Sequence, residues 1–343
     1  MRRARALVCT LLLIAALAPL AHAADESDSS NIGYTLGEGL SIPGTGWMIG
    51  GYATGSYDDL SHAEPRASLD NMSVFLWWEG DSRFKFFSEL ELENFAEYRR
   101  ESGGRDGYLS LERLYVDYAL TDATTLRAGK FLTPIGRWNL VHATPLVWTT
   151  SRPLTTTLAF PTNMTGTMLT GTSASTGGIE YSLYGAGTGD LHTNPDQDPF
   201  AVAFGGHVNI PLSSGQFGFS YSSFVQRHVQ FERKHLYGAD YFWTGNRWEL
   251  SAEVIYRVSD IGGRWDERGG FVQLVAPLTQ KLYAVARYEL FRSALQPDPT
   301  ELRVLGVNYR LHPALVLKAE WIGSTHNTVD APVGLLTSIS VLF

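Results

Sequence analysis

Phe84-Lys85-Phe86-Phe87-Ser88-Glu89-Leu90-Glu91-Leu92-Glu93 decides how the rest of the chain reads. Phe84, Phe86, Leu90 and Leu92 share one parity, and Lys85, Glu89, Glu91 and Glu93 share the other. A helix would gather its charges three or four residues apart; a spacing of two marks an extended strand with side chains pointing alternately to opposite faces. One face suits an apolar surrounding and the other suits water. The alternation returns in Trp248, Leu250, Ala252, Val254 and Tyr256 against Glu249, Ser251, Glu253 and Arg257. It returns again in Leu282, Ala284, Ala286, Tyr288 and Leu290 against Arg287 and Glu289.

Sixteen such segments are predicted, at 46–56, 67–79, 84–95, 108–120, 124–131, 165–173, 177–187, 201–210, 216–225, 234–243, 248–258, 269–276, 282–292, 301–310, 315–322 and 334–343. Their connections alternate. After each even-numbered segment comes a tight turn, such as Gly80-Asp81-Ser82 or Thr244-Gly245-Asn246. After each odd-numbered one comes a longer, more polar loop, as at 57–66, 96–107, 188–200, 259–268 and 323–333. A soluble β-sandwich has no reason to keep its long loops at one end, and its dry core would have to bury the lone charges of strand after strand. A transmembrane antiparallel up-and-down β-barrel of sixteen strands, apolar outside and charged inside, accounts for both features.

Composition agrees. The 343 residues are 44% hydrophobic and 18% charged, with 34 Gly, 17 Phe, 16 Tyr and 9 Trp. This apolar and aromatic content excludes disorder, and one Cys excludes a disulfide scaffold. Outside the N-terminus there is no apolar run of the roughly 20 residues that a membrane helix needs. The first 23 residues read as an export signal: Arg2, Arg3 and Arg5, an apolar stretch from Ala6 to Leu20, then Ala21-His22-Ala23 before a cut at Ala24. That cut takes three positive charges from a formal net charge of −8, leaving −11, and removes the single cysteine, Cys9. An acidic exported chain is a poor partner for nucleic acid. Residues 24–45 read as a flexible leader, and 46–343 as the barrel.

Trp47, Trp77, Trp78, Tyr118, Trp243, Trp248, Tyr309 and Trp321 fall near strand ends, where interfacial aromatic girdles belong. The last strand places Leu335, Ile339, Val341 and Phe343 on one face. It resembles the closing strand of bacterial outer-membrane proteins, and the resemblance implies that Phe343 is an assembly signal read by the barrel assembly machinery. Arg113-Leu114-Tyr115-Val116-Asp117-Tyr118 leads to Leu126-Arg127-Ala128-Gly129-Lys130-Phe131-Leu132-Thr133-Pro134-Ile135-Gly136. Ser151-Arg152-Pro153-Leu154 and Gly166-Thr167-Met168-Leu169-Thr170-Gly171 follow. Over 108–187 these runs resemble the phosphate-selective porin (O/P-type) superfamily. The resemblance implies a homotrimer in outer-membrane lipid, with the third long loop, 132–163, folded into the lumen as a constriction.

That loop holds no acidic residue and carries Arg137, Trp138, His142 and Arg152, the candidates for the narrowest point. Parity assigns Lys85, Arg113, Arg127, Arg257, Arg287, Arg310 and Lys318 to the lumen. It also sends Glu89, Glu91, Glu93, Asp117, Glu180, Asp240, Glu249, Glu253, Glu289 and Glu320 inward. Charged rings of this kind set ion selectivity. The mixed, slightly acidic wall departs from the Arg and Lys ladder of the resembled phosphate channels. His207, His228, His235, His312 and His326 show no metal-ligand spacing, and no catalytic motif is present. The expected function is passive diffusion of small hydrophilic solutes or ions, with no cofactor and no enzymatic activity. A phosphate- or anion-selective porin and a non-conducting structural or adhesion barrel are the alternatives.

Overall fold

The computed structural model describes residues 33–99, 107–141, 143–174, 177–187, 189–195, 197–229, 232–261 and 266–343. The expected export signal and the first part of the leader lie outside the described residues. Two short strands come first, β1 (Gly33–Thr35) and β2 (Gly39–Ile42). The barrel strands follow as β3 (Trp47–Leu60), β4 (Arg66–Glu79), β5 (Phe84–Arg99), β6 (Tyr108–Thr121), β7 (Thr124–Leu132), β8 (Asn163–Ser173), β9 (Ile179–Ala186) and β10 (Phe200–Pro211). The circuit continues with β11 (Gly215–Gln226), β12 (Arg233–Gly245), β13 (Trp248–Ser259), β14 (Glu267–Pro277), β15 (Leu282–Arg292), β16 (Thr300–His312), β17 (Leu315–Thr325) and β18 (Gly334–Leu342).

Each barrel strand pairs antiparallel with its successor, and β18 pairs with β3 from Gly334 opposite Leu60 to Leu342 opposite Tyr52. The sheet is thus a closed barrel of sixteen strands, β3 to β18, which leaves its wall no free edge. The alternating connections are also present: β12 and β13 are joined by residues 246–247 and β16 and β17 by 313–314, whereas β9 and β10 are joined by 187–199.

The seam corrects one expectation. Residues 33–35 and 39–42, part of the expected flexible leader, are paired strand. β18 ends at Leu342, and beyond it the N–H and C=O of Phe343 exchange hydrogen bonds with Gly51 at 2.9 and 2.8 Å. The start of β3 is paired with β4 on one side but has no partner from β18 on the other. β2 takes over there, with Leu40 opposite Ile49 and Ile42 opposite Trp47, and satisfies backbone groups that the apolar surrounding could not.

The two faces separate as the alternation requires. Val254, Val272 and Leu305 are 55%, 52% and 59% exposed and face outward, while their neighbours Glu253, Gln273 and Val304 are buried. Outward rings cluster at the tight-turn end. The Trp47–Phe86, Phe84–Tyr118 and Phe217–Tyr241 centroids lie 5.8, 4.7 and 4.6 Å apart.

Candidate pore site

The connection between β7 and β8 contains a 3-10 turn, Trp138–Val141, and a short helix α1, Leu154–Leu158. Its neck is closed by Asn139, whose amide donates to the carbonyls of Thr133 and Thr162, both at 2.9 Å. From there it reaches strands far round the barrel from β7, and three wall glutamates receive its backbone amides. Glu253 on β13 accepts from Arg137 and Trp138 at 2.9 and 2.5 Å. Glu320 on β17 accepts from Thr150 and Ser151 at 3.1 and 2.7 Å. Glu289 on β15 accepts from Leu154 at 2.8 Å, at the start of α1. Gly136 makes the first of these possible. Its φ is +64°, and a Cβ there would lie 2.5 Å from Glu253 Oε2.

Wall cations take the carbonyls and hydroxyls of the same segment. Arg287 donates to Thr149 Oγ1 and Ser151 Oγ, both at 2.6 Å, and is paired with Glu289 at 2.7 Å. Lys318 donates to the carbonyls of Thr144 and Thr149. Arg257 donates to the Ala159 carbonyl and pairs with Glu267. These wall charges, expected to line open water, are instead buried beneath the connection: Arg287 is 3% exposed, Glu289 1%, Glu320 3% and Lys318 4%. Ile135, Leu154 and Phe160 from the connection also form a dry core with Phe224, Leu236 and Val304 of the wall. The inner face is therefore not uniformly hydrated. A long connection has to bury its own apolar side, and the wall opposite supplies the partners.

The arc from β3 to β7 differs. Tyr52, Phe75, Phe87 and Tyr115 form an inward row with successive centroids 5.7, 5.8 and 5.4 Å apart. Arg113 lies 4.6 Å over Phe87 and is paired with Glu89. Arg127 lies 3.6 Å over Tyr115 and is paired with Asp117 at 2.7 and 2.8 Å. Glu91 accepts from Tyr52 and Ser73. Lys85 sits at the tight-turn end, half exposed and paired with Glu79, so it belongs to the rim rather than the interior.

The loop candidates separate. Arg137 lies 3.8 Å over the Phe242 ring and, with Trp138, Trp148 and Glu249, borders a cavity of about 110 Å³. Trp138 is 8% exposed and packs on Val147 and Phe271. Arg152 lies 5.1 Å over Trp138 and donates to Asn139 at 3.3 Å. Burial pushes its guanidinium down from the ordinary range, against the opposing pull of Glu112, Tyr52, Glu91 and Glu93 on the facing wall. His142 lies outside the described residues.

Within the predicted strands, Glu112 and Lys130 are buried charges that parity does not send inward. Glu112 is the extra residue of a bulge: Glu89 faces Arg113 and Leu90 faces Leu111. The bulge turns both Glu112 and Arg113 inward, and Glu112 accepts from Asn163 at 2.9 Å. Lys130 has the parity opposite to Arg127, yet it is fully buried, because residues 190–192 fold over it and supply the Asp190 carboxylate at 2.9 Å and the carbonyls of Leu191 and His192. A positive φ at Gly129 was the available local signal for the second irregularity, and sequence shows only a glycine there.

With this geometry in place, known structures can be set beside it. The barrel superposes on OmpF of Salmonella typhi, in complex with daunomycin, with a TM-score of 0.64 at 10% identity, over 88% of this chain and 98% of that one. It is a porin fold. The anion-selective porin from Comamonas acidovorans gives a TM-score of 0.57 at 13% identity, over 86% and 98% of the two chains. The trimer form of OmpT, an outer-membrane protein of Vibrio cholerae, gives 0.55 at 12% identity, over 87% and 98%. No family model matches the sequence. An uncharacterized protein of Aquifex aeolicus (strain VF5) is 32% identical over 110 residues, which span 32% of this chain and 24% of that relative.

Proposed function

We propose that this porin-fold barrel is an outer-membrane channel for passive diffusion of small hydrophilic solutes or ions. The observation that carries it is the division of the inner wall. One arc is filled by the connection between β7 and β8, and the other keeps charged side chains within reach of water. Arg113, Arg127 and Asp117 retain 20%, 25% and 15% of their side-chain surface exposed. A purely structural barrel would gain nothing from leaving them so.

In this reading residues 132–163 narrow the passage, with Arg137 and Arg152 at its border and Glu91 and Glu112 facing Arg152. A phosphate-selective channel of the resembled superfamily would need a run of unpaired cations, whereas Arg113 and Arg127 are each tied to a carboxylate. A general channel fits better. Export by a cleaved signal, recognition of Phe343 by the assembly machinery and a homotrimer in outer-membrane lipid complete the proposal. Purified protein added to a planar bilayer should give stepwise conductance, and a silent bilayer containing folded protein would favour the structural alternative. Replacing Arg137 and Arg152 together by alanine should shift the reversal potential in a salt gradient; an unchanged value would remove them from the constriction.

A further inference from the structure

The cavity beside Arg137 combines features that a bare diffusion path does not need. It encloses about 110 Å³ between the connection from β7 to β8 and strands β12 to β14, and Trp138, Leu146, Val147 and Phe271 line it. Trp138, Val147 and Phe271 are buried and give it a firm apolar floor. Val141 and Leu146, which also border it, keep 37% and 49% of their surface exposed. Their connection lies against the inward face of the wall, so lipid does not cover them. Apolar surface turned to water beside a ring-lined hollow, with a few polar groups at its rim, is the common form of a small-molecule site.

Two opposite charges stand at that rim and are not spent on each other. Arg137 comes from the connection and lies 3.8 Å over Phe242, and Glu249 is the second residue of β13. Among the described residues neither side chain makes an ion pair. Glu249 has the Trp148 indole beside it and the charges of Arg137 and Arg310 within electrostatic range. Arg310 lies 4.3 Å over Trp148 and does not line the cavity. Glu253 does line it, yet this carboxylate is buried and taken up by the Arg137 and Trp138 amides. Asp240, the cross-strand partner of Glu253, is buried as well. The accessible charges of the rim are therefore one guanidinium and one carboxylate.

We infer that this hollow binds a zwitterionic amino acid with a branched aliphatic side chain, of the size of leucine. The α-carboxylate meets the Arg137 guanidinium, whose paired donors match its oxygens, and the α-ammonium meets Glu249. The side chain fills the apolar hollow. At about 110 Å³ that space is smaller than the roughly 150 Å³ that takes benzene, so it favours a branched aliphatic group over an aromatic ring. An anion with the same side chain is repelled by Glu249 and a cation by Arg137, so selection works by exclusion as well as by attraction. The inference rests on the channel reading for access from the lumen, and binding and conduction are therefore measured apart.

Full-length protein in detergent is dialysed to equilibrium against radiolabelled L-leucine, and the same preparation is examined in planar bilayers. Leucine should bind saturably. Isocaproate, which lacks the amino group, isoamylamine, which lacks the carboxylate, and glycine, which lacks the side chain, should each compete about tenfold less well or worse. In E249Q the advantage of leucine over isocaproate should disappear, and in R137Q its advantage over isoamylamine should disappear. A merely structural role for either residue would weaken all ligands alike. No saturable leucine binding to the parent, equal competition by isocaproate or isoamylamine, or an unchanged preference in either variant would overturn the inference while the channel stands on its conductance. Phenylalanine binding as tightly as leucine would overturn the size assignment. Protein that binds leucine but leaves the bilayer silent would count against the channel reading and not against the site.

Discussion

Two arcs of one wall use the same residue types to opposite ends. From β11 to β18, Glu253, Arg287, Glu289, Lys318 and Glu320 are buried and spend their hydrogen bonds on the backbone of the connection between β7 and β8. From β3 to β7, Arg113 and Arg127 lie flat on Phe87 and Tyr115, are paired with Glu89 and Asp117, and keep one side in the lumen. Counting inward charges therefore does not give the charge of the passage. A carboxylate that receives two backbone amides is a clamp, and only the partly exposed arc contributes directly to the field in the lumen.

The clamp arc should break hardest. Glu320→Ala removes the acceptor for the Thr150 and Ser151 amides and leaves neighbouring Lys318 without its carboxylate. Leaving two buried amides without their charged acceptor costs roughly 1–3 kcal/mol each, which urea unfolding in detergent would register, and single channels should become noisier as the connection loosens. Gly136→Val attacks the same arc through sterics. A side chain there strikes Glu253 from a left-handed backbone, so a loss of about 2 kcal/mol or more is expected, with displaced density for residues 136–138 in a structure of the variant. If either variant matches the parent in both readings, the connection is not held as described.

The exposed arc should respond in selectivity rather than stability. Arg127→Gln breaks an ion pair that is partly in water, worth about 1 kcal/mol at most. It should move the reversal potential toward cations while unfolding stays nearly unchanged. A large loss of stability instead would show that this arc, too, is a clamp. The smallest effect is expected at the rim, where Lys85→Gln leaves only the half-exposed Glu79 unpaired and should alter neither measurement beyond error.

Much of this is legible in the sequence alone. Alternation along Phe84–Glu93 and its repeats fixed which residues face lipid, because strand side chains have a period of two and lipid tolerates no lone charge. Turn and loop lengths then gave sixteen strands and a common end for the long loops. Glu112 and Lys130 were not legible by the same rule. A bulge shifts parity at Glu112, and a segment 60 residues away in sequence covers Lys130.

By itself, then, the sequence determined the barrel, its strand count and its apolar outer face, since those follow from local periodicity and from the need to satisfy every backbone group in the membrane. Only the tertiary structure decided which inward charges stay partly exposed in the lumen and which hold the connection between β7 and β8. That choice depends on contacts such as Ser151 with Glu320, 169 residues apart, and nothing in the local pattern of a strand records what will be laid against it.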